Sequence, residues 1–249
     1  MITLFIKFQN RFAFFLAKDK QNNWFQHSLN RKTSVKDIIE SFGVPHAEIG
    51  HLYFNGKEID FSYIPFSNGS LEVYAIQTPF SVLSPSFLRP EPFDRIKFIA
   101  DVNVIRLGRL LILSGFDVVY SSFYSDHEIA DIAQIEHRIV LTRDTALLKR
   151  NKIVFAKRIR ENMPYDQLVE VIEFFGLKNA ISLFSKCTSC NAHLEIVEKK
   201  NISHLLEPKT KQYFHTFFQC PQCKNVFWRG SHHEKIQKTF SSLGILKDS

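Results

Sequence analysis

Four cysteines constrain the fold of this chain more than any other feature. Cys187-Thr-Ser-Cys190 and Cys220-Pro-Gln-Cys223 are two C-x-x-C pairs with 29 residues between the inner cysteines, and the 249 residues contain no others. A C-x-x-C on a tight turn places two thiolates on one side, and two such knuckles complete a tetrahedral set of four sulfurs that suits Zn²⁺. With every position taken the metal would be structural. Its apparent binding free energy, about 10 to 16 kcal/mol, would fold a segment too small to do so on apolar burial. Disulfides in any of three connectivities are the alternative, but they need an oxidising compartment that nothing in the sequence indicates. A redox role has less support, because neither pair opens a thioredoxin-like βαβ unit. Zinc held by Cys187, Cys190, Cys220 and Cys223 is the expectation.

Dividing the 249 residues by about 150 per domain gives a prior of one to three domains. Hydrophobic residues make up 45% and charged residues 23%, which is the balance of a folded chain rather than a disordered one. The longest apolar runs, such as Phe12 to Ala17, fall short of the roughly 18 to 20 residues a membrane helix needs. Lys18, Asp19 and Lys20 follow that run where a secretory signal would carry small residues, so a cytoplasmic location is expected.

Ile2, Leu4, Ile6 and Phe8 alternate, as do residues around Trp24 to Leu29, which predicts two antiparallel strands with one buried face. Thr33 or Ser34 can cap a helix through Val35, Ile38, Ile39 and Phe42, closed by Gly43 and Pro45. An extended Leu52 to Phe54, an Asn55-Gly56 turn and a strand over Leu71 to Ile76 follow. This order, with the phrase Leu52-Tyr-Phe-Asn-Gly-Lys-Glu-Ile59, resembles the β-grasp fold of ubiquitin-like and sulfur-carrier domains. Conjugating members end in Gly-Gly, whereas this segment continues through Gln77, Thr78 and Pro79, so a covalent carrier role is not expected. Pro79, Pro85, Pro90 and Pro92, with serines among them, read as a linker.

From Phe93 the pattern becomes α/β. Strands are expected at Ile96 to Ala100, Asp117 to Tyr120, Arg138 to Thr142 and Ile153 to Ala156. Helices are expected from Val104 to Leu113, from a Ser125/Glu128 capping box through Ile135, at Thr145 to Arg150, and after Pro164 to Gly176. Such alternation implies a mostly parallel sheet with helices on both faces and ligands beyond the carboxyl ends of its strands. Asp101 and Asp144 stand at those ends, and Asp126 starts the capped helix, with Glu128 and Asp131 in its first turns. Carboxylates about 4 Å apart repel by roughly 4 kcal/mol at an effective dielectric of 20, so three together call for a counter-charge such as Mg²⁺ or Mn²⁺. Hydrolytic phosphoryl transfer would be the chemistry. The alternative is that Asp126, Glu128 and Asp144 only cap helices; Asp101, ending an apolar strand, fits that role least.

Net charge is +7, and residues 181–249 carry 10 basic against 5 acidic side chains. A second concentration runs from Arg143 to Arg160 and includes Lys149, Arg150, Lys152, Lys157 and Arg158. Either attracts phosphate or is a solvated face. Around the knuckles, Lys199, Lys200, Lys209, Lys211, Lys224 and Arg229 interleave with Tyr213, Phe214, Phe217, Phe218, Phe227 and Trp228, a mixture that suits RNA, although several of these rings are expected in the core. His233 reads as a surface residue and His232 is left open.

The stretches Phe98-Ile-Ala-Asp101, Gly115-Phe-Asp117, Ser125-Asp-His-Glu128 and Glu136-His-Arg-Ile-Val-Leu-Thr-Arg-Asp144 resemble the Mut-seven C-terminal (Mut7-C) RNase domain, a PIN-like nuclease fold. The knuckles, with Trp228-Arg-Gly-Ser-His232, resemble that family's C-terminal zinc ribbon, and bacterial members carry an N-terminal ubiquitin-like module. The resemblance implies a ubiquitin-like domain at 1–78, a linker at 79–92, a PIN-like RNase domain at 93–180 and a zinc ribbon at 181–249. It implies a ribonuclease using Mg²⁺ or Mn²⁺ on Asp101, Asp126 and Asp144, with Glu128 a fourth candidate. Arg143 would hold a phosphate or pair with an acid, and Arg150, Lys152 and Arg229 are further candidates for RNA. Ile105, Gly108 and Ile112 stand where the family's helix has Gly, Ala and Arg, which puts substrate binding by that helix in doubt. The competing expectation is a non-catalytic RNA- or ribosome-binding adaptor. The N-terminal module could recruit a protein partner in either case.

Overall fold

The computed structural model describes residues 1–246, apart from the side chain of His232. The N-terminal sheet has strands β1 (Ile2–Phe8), β2 (Phe25–Leu29), β3 (Ile49–Phe54), β4 (Lys57–Glu58) and β5 (Gly69–Ala75) in the order β2-β1-β5-β3-β4, with only β1 and β5 parallel. This is a β-grasp. Its single regular helix, α1 (Val35–Ser41), starts where the Ser34 side chain accepts the Asp37 N–H at 3.2 Å. Strict alternation in β1 sends Leu4, Ile6 and Phe8 inward against Val35, Ile38 and Ile39 of α1, and leaves Phe5 outside.

The second sheet is fully parallel, with β6 (Lys97–Ala100), β7 (Asp117–Tyr120), β8 (Ile139–Thr142) and β9 (Ala156–Arg158) in the order β7-β6-β8-β9. Because successive side chains alternate, Phe98, Ala100, Ile139 and Leu141 face α2 (Ile105–Leu113) and α4 (Pro164–Phe175). Ile99 and Val140 face α3 (Asp126–Glu136) on the other side. Strand β9 lies later than the apolar run 153–156 suggests, and the expected helix at 145–150 is a single 3₁₀ turn, Leu147–Lys149. The reason is local charge pairing. Lys157, 4% exposed, reaches Glu170 at 2.6 Å, so a residue that reads as polar edge sits inside the ladder.

A third sheet, β10 (Glu195–Val197), β11 (Phe217–Gln219) and β12 (Val226–Trp228), is antiparallel, with the short helices α5 (Lys199–Ile202) and α6 (Pro208–Tyr213) between its first two strands. The chain then returns through α7 (Ser231–Ser242). Ile236, Phe240 and Ile245 join the same apolar cluster as Phe98 and Leu111, so the ribbon is an excursion closed by a helix packed on the parallel-sheet core. His233 is half-buried and stacks on Phe184 with ring centroids 3.9 Å apart, which corrects its reading as a surface residue. Among the described residues no helix is long and apolar enough to cross a membrane.

Residues 79–92 are packed between the two sheets rather than free. The Phe80 N–H donates to the Phe174 carbonyl at 2.8 Å, Val82 lies in the parallel-sheet core, and Leu88 lies in the N-terminal one. Between them Arg89 is 3% exposed. Its guanidinium donates to the carbonyls of Ile49 (2.8 Å), His46 (3.1 Å) and Ala47 (3.3 Å) on one side and Val154 (3.0 Å) on the other. Burial lowers its pKa to about 10, opposed by the Glu48 charge, so it is cationic at neutral pH. Truncation strands several buried carbonyls, each costing about 1 to 3 kcal/mol. Arg89→Met is therefore expected to lose about 3 kcal/mol or more in urea denaturation, with the cooperative transition splitting into two.

Candidate active site and metal centre

Strands β6 and β8 pair in parallel up to Ala100 and Leu141, and Thr142 ends β8 against Arg158 of β9, so residues 101 and 143–144 leave the sheet at the same carboxyl edge. Asp101 is 6% exposed there. The Val102 N–H donates to its Oδ1 at 2.6 Å; the Thr142 hydroxyl, at 2.6 Å, and the Asn103 amide donate to Oδ2. These donors are neutral, and none of the described ion pairs includes Asp101. A buried carboxylate balanced only by dipoles is costly, so the site favours an incoming cation. The Thr142 hydroxyl also accepts the Asp144 N–H at 2.9 Å, and Asp144 Oδ1 accepts the Ala146 N–H at 2.7 Å. Asp101 and Asp144 are thus tied through one hydroxyl.

Asp126 is turned elsewhere, with its Oδ2 3.6 Å from Arg150 Nη2. Glu128 closes the capping box of α3: the Ser125 N–H and hydroxyl both donate to its Oε2 at 2.7 Å. Those two bonds hold its pKa below the usual carboxylate range. Lys152 pairs with Asp131, and Arg143 donates to the Glu161 carbonyl at 2.8 Å and to Asn162 Oδ1 at 2.9 Å. Among the described residues, only the four cysteines form a group of three or more acidic, His or Cys ligand atoms within 4.8 Å of one another. The three aspartates do not form such a group. Thr142 and Asn103 join the site without a charge or a ligand spacing to mark them in sequence, although Thr142 lies inside the Thr-Arg-Asp phrase.

The cysteine cluster is tight. Sγ atoms lie 3.5 Å apart for Cys187 and Cys223 and 3.3 Å apart for Cys190 and Cys220, far beyond a disulfide bond of about 2.05 Å. A tetrahedral metal with sulfur at about 2.3 Å has edges near 3.8 Å, so these thiols surround a metal-sized centre. The two knuckles are built alike. The Asn191 N–H returns to the Cys187 carbonyl and that of Lys224 to the Cys220 carbonyl, with Asn191 at φ 64° and Lys224 at φ 62°. Burial raises Cys220, but the Cys223 N–H and the Cys190 thiol outweigh it and bring the pKa down to about 6. Cys223, despite an Asn225 N–H that favours its thiolate, is pushed up to about 12 by burial and by the thiols of Cys187, Cys220 and Cys190. Four crowded sulfurs cannot all ionise alone; a cation removes that conflict. The cluster can hold a metal.

One side chain joins this centre to the sheet. Asp117, at the start of β7, accepts from Arg138 Nη1 at 2.7 Å and from Asn191 Nδ2 of the first knuckle at 2.8 Å. Burial raises its pKa, but the Arg138 bond and charge, the Asn191 bond and the Lys186 charge prevail and leave it lowered.

With this geometry in place, the model of the Mut7-C RNAse domain matches residues 96–240, and that of Mut7-C ubiquitin matches residues 1–81. The first match spans the parallel sheet, the cysteine cluster and most of α7. No curated protein and no solved structure matches the chain.

Two outcomes follow from the metal centre and its link to Asp117. Elemental analysis of the purified chain should find one divalent metal per chain, absent from Cys187→Ser/Cys220→Ser, whose near-UV dichroism should show loss of the ribbon. Asp117 has a folded pKa below its unfolded one, so its stabilisation is complete above about pH 4 and is lost as pH falls through the lower value. Asp117→Asn should be less stable than the parent to urea at pH 7, and the gap should close on acidification.

Proposed function

Because the chain belongs to the Mut7-C RNAse domain family, we propose that it hydrolyses RNA phosphodiester bonds at the carboxyl edge formed by β6 and β8. The observation that carries this reading is Asp101, a buried carboxylate at the end of an apolar strand with no cationic partner among the described residues. Its donors leave it fixed in position, and Thr142 couples it to Asp144. The donor set is all oxygen and suits Mg²⁺ or Mn²⁺, which would supply positive charge to the phosphodiester being cleaved. Asp101 and Asp144 would hold such an ion. Asp126 would join them on exchanging Arg150, which would then be free to take an RNA phosphate. Asn103 steadies the following loop by accepting the Arg143 N–H at 3.0 Å. Arg143 itself is held by Glu161 and Asn162, so its role here is to shape the loop.

In this reading the four thiolates bind Zn²⁺ as a closed structural centre that fixes the ribbon for RNA contact. The outer face of the ubiquitin-like sheet, where Phe5 is 51% and Tyr74 37% exposed, is the surface it offers to a protein partner.

A second reading is favoured by the absence of a preformed three-aspartate group: an RNA-binding adaptor without hydrolysis. A labelled RNA incubated with Mg²⁺, Mn²⁺ or neither separates the two. Cleavage that requires an added divalent ion and falls by about 100-fold or more in Asp101→Asn and in Asp144→Asn supports the nuclease. Salt-sensitive binding without cleavage under any of these conditions supports the adaptor.

A further inference from the structure

A cleft of about 1170 Å³ lies between α2 and the ribbon, walled by Arg109, Tyr120, Lys186, Phe214, Trp228 and Arg229 among others. No Asp or Glu lines it among the described residues. Three basic side chains therefore line one hollow that no acid lines, in a protein whose other basic cluster is internally paired. Lys186 is 8% exposed, its ammonium donates to the Asn191 carbonyl at 3.1 Å, and its charge acts on Asp117 outside that lining, so the unpaired charge of the cleft is that of Arg109 and Arg229. The Arg109 and Arg229 guanidinium groups lie over the rings of Tyr120 (6.0 Å) and Phe218 (5.8 Å), which holds them extended without neutralising them. Trp228, 40% exposed, lines the cleft beside them, so its ring is open to a stacking partner.

We propose that this cleft binds a single-stranded segment of RNA, with bases against Trp228 and its neighbouring rings and phosphates on Arg109 and Arg229. The inference rests on the nuclease reading in one respect, that the ligand is the substrate RNA. Duplex RNA does not present stacking faces, so single strands are selected. Position connects the two sites. Tyr120, which lines the cleft, pairs with Ala100, the residue before Asp101, so the cleft wall includes the end of the strand next to the one that leads into the acidic edge. Gly108 lets α2 pack closely on these two residues. A Cβ there would stand 3.1 Å from Ala100 Cβ and 3.3 Å from Tyr120 Cδ1, so α2 or these two side chains would have to give by a few tenths of an ångström in a close-packed interface.

The chain has two tryptophans, so Trp24→Phe leaves Trp228 as the only indole reporter. In the full chain without added Mg²⁺ or Mn²⁺, a short oligoadenylate should quench that fluorescence along the same isotherm as anisotropy of the labelled oligonucleotide. Trp228→Ala should weaken binding roughly 5-fold or more, and Trp228→Phe should recover most of it. Arg109→Ala with Arg229→Ala should lower the slope of log affinity against log salt by about 1.4, two phosphates at about 0.7 each. Lys32→Ala, exposed on the N-terminal domain, should bind as the parent does. Cleft variants of unchanged metal content that bind as the parent does overturn the proposal. So does displacement by polyglutamate as efficient as by RNA, which would make the site a peptide site. A parent that binds RNA through the cleft but never cleaves it overturns the nuclease and leaves the cleft standing. A parent that cleaves while all cleft variants bind and cleave unchanged overturns the cleft alone.

Discussion

Arg89 decides how the parts of this protein meet. A guanidinium that is 3% exposed keeps its charge only if its donors are satisfied, and here the acceptors are main-chain carbonyls from both sides of a domain junction. Carbonyls of His46, Ala47 and Ile49 come from the turn that precedes and begins β3, and that of Val154 comes from the segment leading into β9. The residue cannot be satisfied by one domain alone. Around it other polar contacts become worthwhile: His46 bridges Glu40 and the Ile153 carbonyl, and Glu48 accepts the Arg158 N–H. The ubiquitin-like sheet is thereby seated against the β9 flank of the parallel sheet.

That seating redistributes the positive charge of the chain. Lys149 donates to the Glu40 carbonyl, Arg158 stacks on Phe14 at 4.1 Å, and Arg160 reaches Glu48 at 3.4 Å. Arg150, Lys152 and Lys157 are taken by Asp126, Asp131 and Glu170. A run that by composition suggests a nucleic-acid surface is therefore largely an internal adhesive. Exposed pairs in it contribute little individually, about 0 to 1 kcal/mol each, but they remove the run as an unpaired attractor for phosphate. Arg109 and Arg229, which line the ribbon cleft, are in none of the ion pairs among the described residues.

Features encoded by neighbours in the chain were legible in advance; features encoded by distant partners were not. The capping box of α3 depends on residues three apart, and Ser125 and Glu128 announced it. Period-2 alternation gave β1, and the knuckle spacing gave the sulfur cluster. The displacement of β9 was hidden, because it depends on Glu170 neutralising a lysine that looks like solvent-facing sequence. The packing of residues 79–92 was hidden for the same reason: prolines mark irregular backbone, not exposed backbone, and Phe80, Val82 and Arg89 find cores and carbonyls far along the chain. Of the acidic residues, burial of Asp101 was legible from the apolar strand before it, while the attachment of Asp126 to Arg150 was not.

The departures of α2 from the family pattern acquire a physical sense from the packing. Ile112 is 2% exposed in the core shared with α4 and α7, where a guanidinium would need acceptors that an apolar cluster does not offer. At that position this chain gains burial by giving up the arginine. The helix keeps a positive charge nearby, because Arg109 lies almost one turn earlier and lines the ribbon cleft over Tyr120. Gly108 beside it lets the backbone of α2 pack closely on Ala100 of β6 and on Val118 and Tyr120 of β7. One helix thus supplies an apolar stripe that holds the fold and, on another face, an arginine that lines the cleft. The two demands are separable because they fall on different faces of a 3.6-residue turn.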